Sequence, residues 1–378
     1  MPLRHSWSRS LAGNCMVYSI RYRREWLELE LYCKDHIATI LLNVINGRIQ
    51  HKDRREPELL GNIEVKDKFF VISCYNGLGN RLWSRVLKGI GAKFLCRKEI
   101  CVSLLMKPDR KLEINILDKD GEVLDTMGVP NVYDFDIGGS REMIAVTTRG
   151  FREESTSTFL IDPSIASIID HITGFGGHVI SGLDLLFIVG YREREVITKV
   201  YSNEGEEVLE INGYPAIPPQ NPIPYKVLGS EKFEIRKIVI IDKYEVKVFD
   251  PYDYSMIYTL MKPPFIRGVI DVNDEDYSIT SLSTIMGKPY IVKYGINGNV
   301  QWISHIVRGF RYAFVSNKLL AMHVEGINGY ETRVYRIDDH TLIHLDTFGS
   351  NAYPIFIRKD SILLSNDKIV SAYTWSEE

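Results

Sequence analysis

Basic and aromatic residues near the N-terminus are the residues whose types and spacing could do chemistry. They form two groups in successive loops: Arg21, Tyr22, Arg23 and Arg24, with Trp26 beside them, and then Lys52, Arg54 and Arg55. Basic side chains neutralise phosphates and aromatic rings stack on bases, so the pattern indicates a contact with nucleic acid or with an acidic protein. The alternative interpretation is a solvated loop in which Asp53 and Glu56 supply local ion-pair partners.

The charge distribution is uneven along the chain. Residues 1–111 contain 21 Lys and Arg against 11 Asp and Glu, whereas the whole chain of 378 residues carries a net charge of −3. The first 111 residues are therefore basic and the remainder is acidic. This asymmetry is compatible with nucleic-acid binding through residues 1–111 and with a protein partner.

The sequence contains none of the strong catalytic or metal-binding motifs. It has no phosphate-binding loop, no HExxH, no nucleophile elbow and no EF-hand loop. The glycine-rich segments 76–80 and 174–177 do not precede a predicted helix, which phosphate binding needs. The acidic segment 271–276 has no calcium-loop spacing. We therefore expect no catalytic residue, no metal and no cofactor.

The cysteines bear on the compartment. The chain contains five cysteines, namely Cys15, Cys33, Cys74, Cys96 and Cys101. Their number is odd, no CxxC occurs, and no apolar leader segment is visible. We interpret them as free cysteines on buried strands, with a Cys96–Cys101 bridge across a hairpin as the alternative. No run of about 18 apolar residues exists, so we expect no membrane span and predict a cytoplasmic protein. The scarcity of Gln beside abundant charge is typical of a thermophilic, archaeal source.

The elements that position these residues follow an internal repeat. In each unit an apolar strand runs into a turn of Gly, Asp or Asn, and a second short strand follows. The turns are marked by Gly47, Gly79, Gly121, Ser164, Gly205, Asp253, Gly298 and Asp339. The steps between them are 32, 42, 43, 41, 48, 45 and 41 residues. Two more strands fit between consecutive markers, and four short strands in about 42 residues make one propeller blade.

The chain termini predict how the repeat closes. The sequence from Trp7 to Gly13 is nearly repeated from Trp83 to Gly89, which we interpret as the fourth strand of a blade. Residues 5–11 should therefore complete the last blade with residues 352–375, closing the ring and leaving no exposed edge. We predict one domain, 1–378, of about eight blades (seven to nine), with a proline-rich loop between blades at 213–226. Two β-sandwich domains divided near residues 214–225 are the alternative.

The segment from Gly295 to Trp302, GINGNVQW, resembles the degenerate repeats of PQQ-like and WD40-like β-propellers. The resemblance implies a closed all-β propeller. Quinoprotein dehydrogenases of this type use an adjacent cysteine pair and are exported, and this chain lacks both features. A fold does not define a function. Because the sequence has no catalytic motif and a propeller offers rigid faces for docking, we expect a non-catalytic scaffold for protein–protein interaction in a larger complex. The alternatives are an RNA- or ribonucleoprotein-associated factor acting through the basic N-terminal blades, and an enzyme with its site at the mouth of the channel.

Overall fold

The structure is a computed structural model that describes most of the chain. The described residues are 3–11, 15–23, 26–33, 36–55, 59–67, 69–76, 79–140, 142–182, 185–216, 237–263, 266–273, 276–286, 288–305, 310–316, 318–327, 329–338, 341–349, 352–358, 360–366 and 369–376. They form antiparallel strands arranged in nine sheets, and one 3-10 turn, Glu153–Ser155. The chain divides into two compact units, 1–55 with 216–378 (unit 1) and 56–215 (unit 2).

Unit 1 contains the strands at both chain ends. One sheet combines the first strand with the last three, in the order β1-β35-β34-β33, and the others follow chain order. The early strands are β1 (Arg4–Ser10), β2 (Met16–Arg23), β3 (Trp26–Tyr32), β4 (Ile37–Asn43) and β5 (Ile49–Arg55). The later strands are β22 (Ile238–Ile241), β23 (Glu245–Phe249), β24 (Met256–Met261), β25 (Ile266–Asn273), β26 (Ser278–Ile285), β27 (Lys288–Tyr294), β28 (Val300–His305), β29 (Phe310–Val315), β30 (Leu319–Gly326), β31 (Gly329–Asp338), β32 (Thr341–Phe348), β33 (Tyr353–Arg358), β34 (Ser361–Ser365) and β35 (Ile369–Thr374).

Unit 2 contains one three-stranded sheet, three four-stranded sheets and a final two-residue strand. The three-stranded sheet is β6 (Leu60–Lys66), β7 (Phe69–Tyr75) and β8 (Arg81–Leu87). The first four-stranded sheet is β9 (Gly91–Arg97), β10 (Ile100–Met106), β11 (Leu112–Asp118) and β12 (Val123–Val129). The second is β13 (Val132–Gly139), β14 (Ile144–Gly150), β15 (Ser157–Asp162) and β16 (Ser167–Thr173), and the third is β17 (His178–Gly182), β18 (Leu185–Arg192), β19 (Glu195–Tyr201) and β20 (Glu207–Asn212). Strand β21 (Tyr214–Pro215) follows them and is not part of the third sheet.

Each hydrophobic cluster is shared by two consecutive sheets. Leu104 and Ile114, on β10 and β11, pack in one cluster with Val146 and Phe159, on β14 and β15. The second strand of a sheet is consequently covered on both faces, and every residue of β10 is buried. The fourth strand, β12, is mostly exposed. Neighbouring sheets thus hide each other's apolar faces, which is how repeat proteins stabilise units that cannot bury their own.

In the four-stranded sheets the described repeat markers lie in the turns between the third and fourth strands, whereas Gly79 lies in the β7–β8 turn of the three-stranded sheet. Asp339 lies outside the described residues. Gly47 and Gly121 have φ values of 68° and 86°, which glycine adopts without steric cost. The indole N–H of Trp83, on β8, donates to the carbonyl of Lys119, in the β11–β12 turn of the next sheet, at 2.9 Å. Trp7, on β1, makes the same contact with the carbonyl of Ile45, in the β4–β5 turn, at 3.1 Å. These contacts explain why the two tryptophan segments repeat in the sequence.

The first strand of the chain pairs with the last. Strand β1 runs antiparallel to β35, with Arg4 opposite Thr374 and Ser10 opposite Ile369. This sheet contains the predicted pairing of the N-terminal strand with the C-terminal strands. The second repeat unit, which is only 32 residues long, forms three strands because its length leaves no room for a fourth. Most of the proline-rich segment 213–226 lies outside the described residues.

The interpretation of the cysteines as free thiols is wrong for four of the five. Cys96 and Cys101 are direct partners in the β9–β10 register, with Cα atoms 4.0 Å apart, and they form a disulfide. A second disulfide joins two residues that extend the β2–β3 register by one step, Cys15 and Cys33. Opposed positions bring cysteine side chains within bonding reach, although the sequence separation is 18 in the second pair. Cys74 is free and buried.

Candidate interaction surface

The predicted basic residues lie on one sheet, β2 to β5. Residues 21–23 form the end of β2, and residues 52, 54 and 55 form the end of β5. The side chains at these positions, which are Arg21, Tyr22, Arg23, Lys52, Arg54 and Arg55, and the whole of Arg24 lie outside what the structure describes. The backbone register is nevertheless sufficient to compare where the two groups are placed.

The register puts these two groups at opposite ends of the sheet. Arg23 lies opposite Trp26, which lies opposite Asn43, next to the β4–β5 turn. Arg55 lies opposite Ile37 at the other end of β4. Six residue steps at about 3.3 Å separate the two ends, so the groups are about 20 Å apart along the strands. The structure brings residues 21–23 together and residues 52–55 together, but it does not merge them into one patch. RNA binding through them stays a prediction.

A different group of residues forms a continuous exposed surface in unit 2. Its members lie at the ends of strands or in the turns between second and third strands, all at the same end of their sheets. We call it the arginine–aromatic ladder, and it comprises Arg110, Tyr133, Arg149, Phe151, Tyr191 and Tyr214.

The first half of the ladder joins the β10–β11 turn to the next sheet. The guanidinium of Arg110 lies 5.4 Å from the ring centre of Phe151. The ring of Phe151 lies 5.1 Å from that of Tyr133 in a tilted arrangement. The carbonyl of Arg110 accepts a hydrogen bond at 3.0 Å from the amide of Val132, at the start of β13. That bond ties the turn to the strand that presents Tyr133.

The second half is centred on Arg149, at the end of β14. Its guanidinium lies 5.8 Å from the ring centre of Tyr133 and 5.2 Å from that of Tyr191. Asp134, the register partner of Arg149, places a carboxylate oxygen 3.6 Å from it. The hydroxyls of Tyr191 and Tyr214 lie 3.1 Å apart, and this hydrogen bond, together with burial, raises the pKa of Tyr214. The arginine is thus held between two aromatic rings and one carboxylate.

The ladder rings are open to solvent. Phe151 is 70% exposed, and the three tyrosines, Tyr133, Tyr191 and Tyr214, are 47% to 49% exposed. Tyrosine and arginine are enriched among the residues that dominate protein–protein binding energy. A cation–π contact is worth about 0.5–1 kcal/mol in water and more when it is desolvated, so a partner covering the ladder would strengthen it. Stacking also pre-orders the rings, which lowers the entropy cost of binding.

The charge around the ladder is balanced. The ranges 107–113, 133–134, 149–154 and 191–195 contain seven basic and seven acidic residues. A surface that binds a nucleic-acid backbone needs an excess of positive charge to release counterions. The ladder surface does not have that excess.

Sequence reasoning missed the ladder because it followed the turns between third and fourth strands. The ladder lies at the opposite turns, where residues 110, 151 and 191 recur at steps of 41 and 40. The same 41-residue periodicity, applied to exposed aromatic and arginine residues, could have identified it. The contacts between Tyr133, Arg149 and Tyr191 depend on the packing of neighbouring sheets and have no sequence signal.

The alternative of an enzyme requires titratable side chains that lie close together. On β9, β13 and β17, the first strands of three successive sheets, the structure brings together Lys93, Asp136 and His178. One Asp136 oxygen accepts from Lys93 Nζ at 2.5 Å. The other accepts from the Val179 amide at 3.0 Å and lies 3.6 Å from His178 Nδ1. The carboxylate is occupied by these contacts, which connect three sheets, so the group has a structural explanation.

The remaining sequence expectations concern metals and membranes. In the described ranges, one group of side chains has the mutual spacing of metal ligands, namely Cys74, Cys96 and Cys101. No helix within the described part of the chain has the length and apolarity needed to cross a bilayer.

Comparison with known proteins gives matches to structures alone. The chain matches no protein-family model and no curated protein sequence. BamB from Moraxella catarrhalis is 12% identical, with 100% of this chain and 98% of BamB covered and a TM-score of 0.39. Hsv2p of Kluyveromyces lactis is 12% identical, with 76% and 96% covered and a TM-score of 0.36. A europium-containing methanol dehydrogenase is 9% identical, with 85% of each chain covered and a TM-score of 0.33.

Because these TM-scores are all below 0.5, the architecture is assigned from the sheet topology of the chain itself. Consecutive antiparallel sheets follow one another along the sequence and share their hydrophobic clusters with their neighbours. The chain is an all-β repeat protein built from β-propeller blades.

Proposed function

We propose that this chain is a non-catalytic β-propeller scaffold that binds a protein partner through the arginine–aromatic ladder. The observation that carries the proposal is the unbroken series of contacts from Arg110 to Tyr214, made by half-exposed rings and two guanidinium groups. A structural role does not require four aromatic rings to remain 47% to 70% exposed. A partner that covers them would bury apolar area and desolvate the arginines together.

The charge balance of the surface supports a protein partner. A polyanion would be repelled by the seven acidic residues as strongly as it is attracted by the seven basic ones. A polypeptide can match both signs at the rim while its apolar side chains contact the rings. The role in a larger complex follows from this proposal, since a rigid blade array can present several such surfaces.

The compartment belongs to the same proposal. Two disulfides fit an oxidising compartment, and they also fit the cytosol of a hyperthermophile, where disulfides persist. A cytoplasmic thermophilic protein is therefore compatible with the structure and stays a prediction.

The test compares partner recovery by the native chain and by variants. The ladder variant carries Phe151→Ala with Tyr191→Ala, and the control carries Tyr244→Ala with Tyr252→Ala, two exposed tyrosines of unit 1. Each protein is purified with its bound partners from the source cells, and the partner is quantified and then titrated against pure protein. We expect the ladder variant to bind at least about 30-fold more weakly, because the loss of two anchor residues costs about 2 kcal/mol or more. Equal binding by both variants would contradict the proposal.

A further inference from the structure

Three sulfur atoms meet inside unit 2. Cys74 lies on β7, and the disulfide-bonded residues Cys96 and Cys101 lie on the neighbouring hairpin of β9 and β10. The free Sγ of Cys74 is 3.6 Å from the Sγ of Cys101, which is van der Waals contact. All three sulfurs lie within 4.8 Å of one another. A thiol is therefore in contact with a disulfide, and because three sulfurs within 4.8 Å of one another are not collinear, rotation of these side chains must bring the thiol in line with the disulfide before it attacks.

The surroundings of the sulfurs are apolar. Cys74 and Cys101 have no exposed surface, and Cys96 has 1%. The elements packed around them supply Ile72, Trp83, Phe94 and Leu117 to the same cluster. The Arg97 guanidinium donates to the backbone carbonyl of Cys96 at 3.3 Å. Burial raises the pKa of the Cys74 thiol to about 11.

We propose that these three cysteines form an internal thiol–disulfide exchange site. The Cys74 thiolate attacks Sγ of Cys101, so a Cys74–Cys101 bond forms and the Cys96–Cys101 bond breaks. Cys96 leaves as a thiolate and takes up the proton that Cys74 released. One thiol and one disulfide are present before and after the step, so no external oxidant or reductant is needed.

The exchange changes what the disulfide connects. The Cys96–Cys101 bond closes a hairpin across a sequence separation of 5 within one sheet. The Cys74–Cys101 bond spans a separation of 27 and joins β7 to β10, which belong to different sheets. Because a longer loop restricts the unfolded chain more, the second bond raises the folding equilibrium constant by about tenfold more than the first, while chain entropy favours neither bond within the folded state. The exchange therefore converts a link within one blade into a link between two blades.

A zinc site is a poorer explanation of the same geometry. Structural zinc takes four ligands, and the group of donors found in the described residues has three. Zinc also needs thiolate ligands, and two of the three sulfurs are joined in a disulfide.

The first test maps the disulfide in the native chain. Protein kept at about pH 5 is shifted to about pH 7, 8 or 9, quenched in acid, unfolded, labelled with N-ethylmaleimide and digested for mass spectrometry. We expect a peptide linked through Cys74 and Cys101, with the label on Cys96. Its rate of appearance should rise about tenfold per pH unit and be independent of protein concentration, because the thiolate fraction rises tenfold per unit below the pKa. Label confined to Cys74 at every pH would overturn the proposal.

The second test uses a pair of matched variants. Cys96→Ser and Cys74→Ser are each refolded with oxidised glutathione and then labelled. We expect Cys96→Ser to form the Cys74–Cys101 bond and Cys74→Ser to retain the Cys96–Cys101 bond. A folded Cys96→Ser protein in which Cys74 and Cys101 both take up label would overturn the proposal. The native-chain mapping decides the question by itself if this variant does not fold.

Discussion

Replacing Gly121 by alanine should disturb the contact that joins one blade to the next. Gly121 has a φ of 86°, and a Cβ atom there would lie 2.9 Å from Cδ2 of Trp83. Trp83 is anchored by its hydrogen bond to the Lys119 carbonyl, so the ring cannot move away without losing that bond. The substitution therefore strains the backbone and displaces the tryptophan.

The magnitude follows from two parts. Alanine in the left-handed conformation costs about 1–2 kcal/mol, and loss of the indole hydrogen bond costs about 0.5–1.5 kcal/mol more. We expect Gly121→Ala to lower the free energy of unfolding by about 2–3 kcal/mol. Gly79 is a matched control in the same unit, since its φ is 80° and no atom lies within 4 Å of an added Cβ. Gly79→Ala should cost the backbone part alone, about 1–2 kcal/mol.

The assay is urea unfolding followed by circular dichroism, with hydrogen exchange of β8 and β11 to locate the loss. Both glycine substitutions are also made in a Trp83→Leu background. There, Gly121→Ala should cost no more than Gly79→Ala, because the indole that it displaces is gone. Equal costs for the two glycine substitutions in the native background would refute the docking role of Trp83.

Three further outcomes can be measured. Asp136→Ala should lower the free energy of unfolding by about 1–2 kcal/mol in urea, because the Val179 amide on β17 of the next sheet loses its acceptor. The hydrogen bond from Lys199 is the main reason that the pKa of Glu210 lies below its ordinary value. The stabilisation is therefore present above the ordinary pKa and lost as pH falls through the lower folded value, so Glu210→Gln should flatten the decline in urea midpoint between about pH 6 and 3. If the N-terminal residues bind RNA, Arg23→Glu with Arg24→Glu should abolish heparin retention and RNA binding at about 50 mM salt, and absence of binding by the native chain would remove that interpretation.

The strand and turn pattern was predictable because it depends on local chemistry. Gly47, Gly121, Gly205 and Gly298 all adopt positive φ values in turns between third and fourth strands. The segment after Trp83, interpreted as a strand from its near-identity to the segment after Trp7, is a strand that pairs with β7. The short second unit was recognisable from its length alone.

The cysteine pairing was not predictable from counting. An odd number of cysteines suggested free thiols, but Cys15 and Cys33 are opposed one step beyond the register of β2 and β3. The register of two strands, rather than cysteine spacing, brings such residues within bonding distance. The same is true of the basic groups, because register places Arg23 and Arg55 at opposite ends of one sheet.

The sequence by itself determined the strands, the turns and the modular repeat, because glycine conformation and alternating hydrophobicity act over a few residues. Only the tertiary structure decided which side chains meet between sheets. The ladder joins residues from Arg110 to Tyr214, and the sulfur cluster joins Cys74 to a hairpin 27 residues away. Such contacts depend on how two sheets face each other, and that geometry comes from the packing of many apolar side chains together.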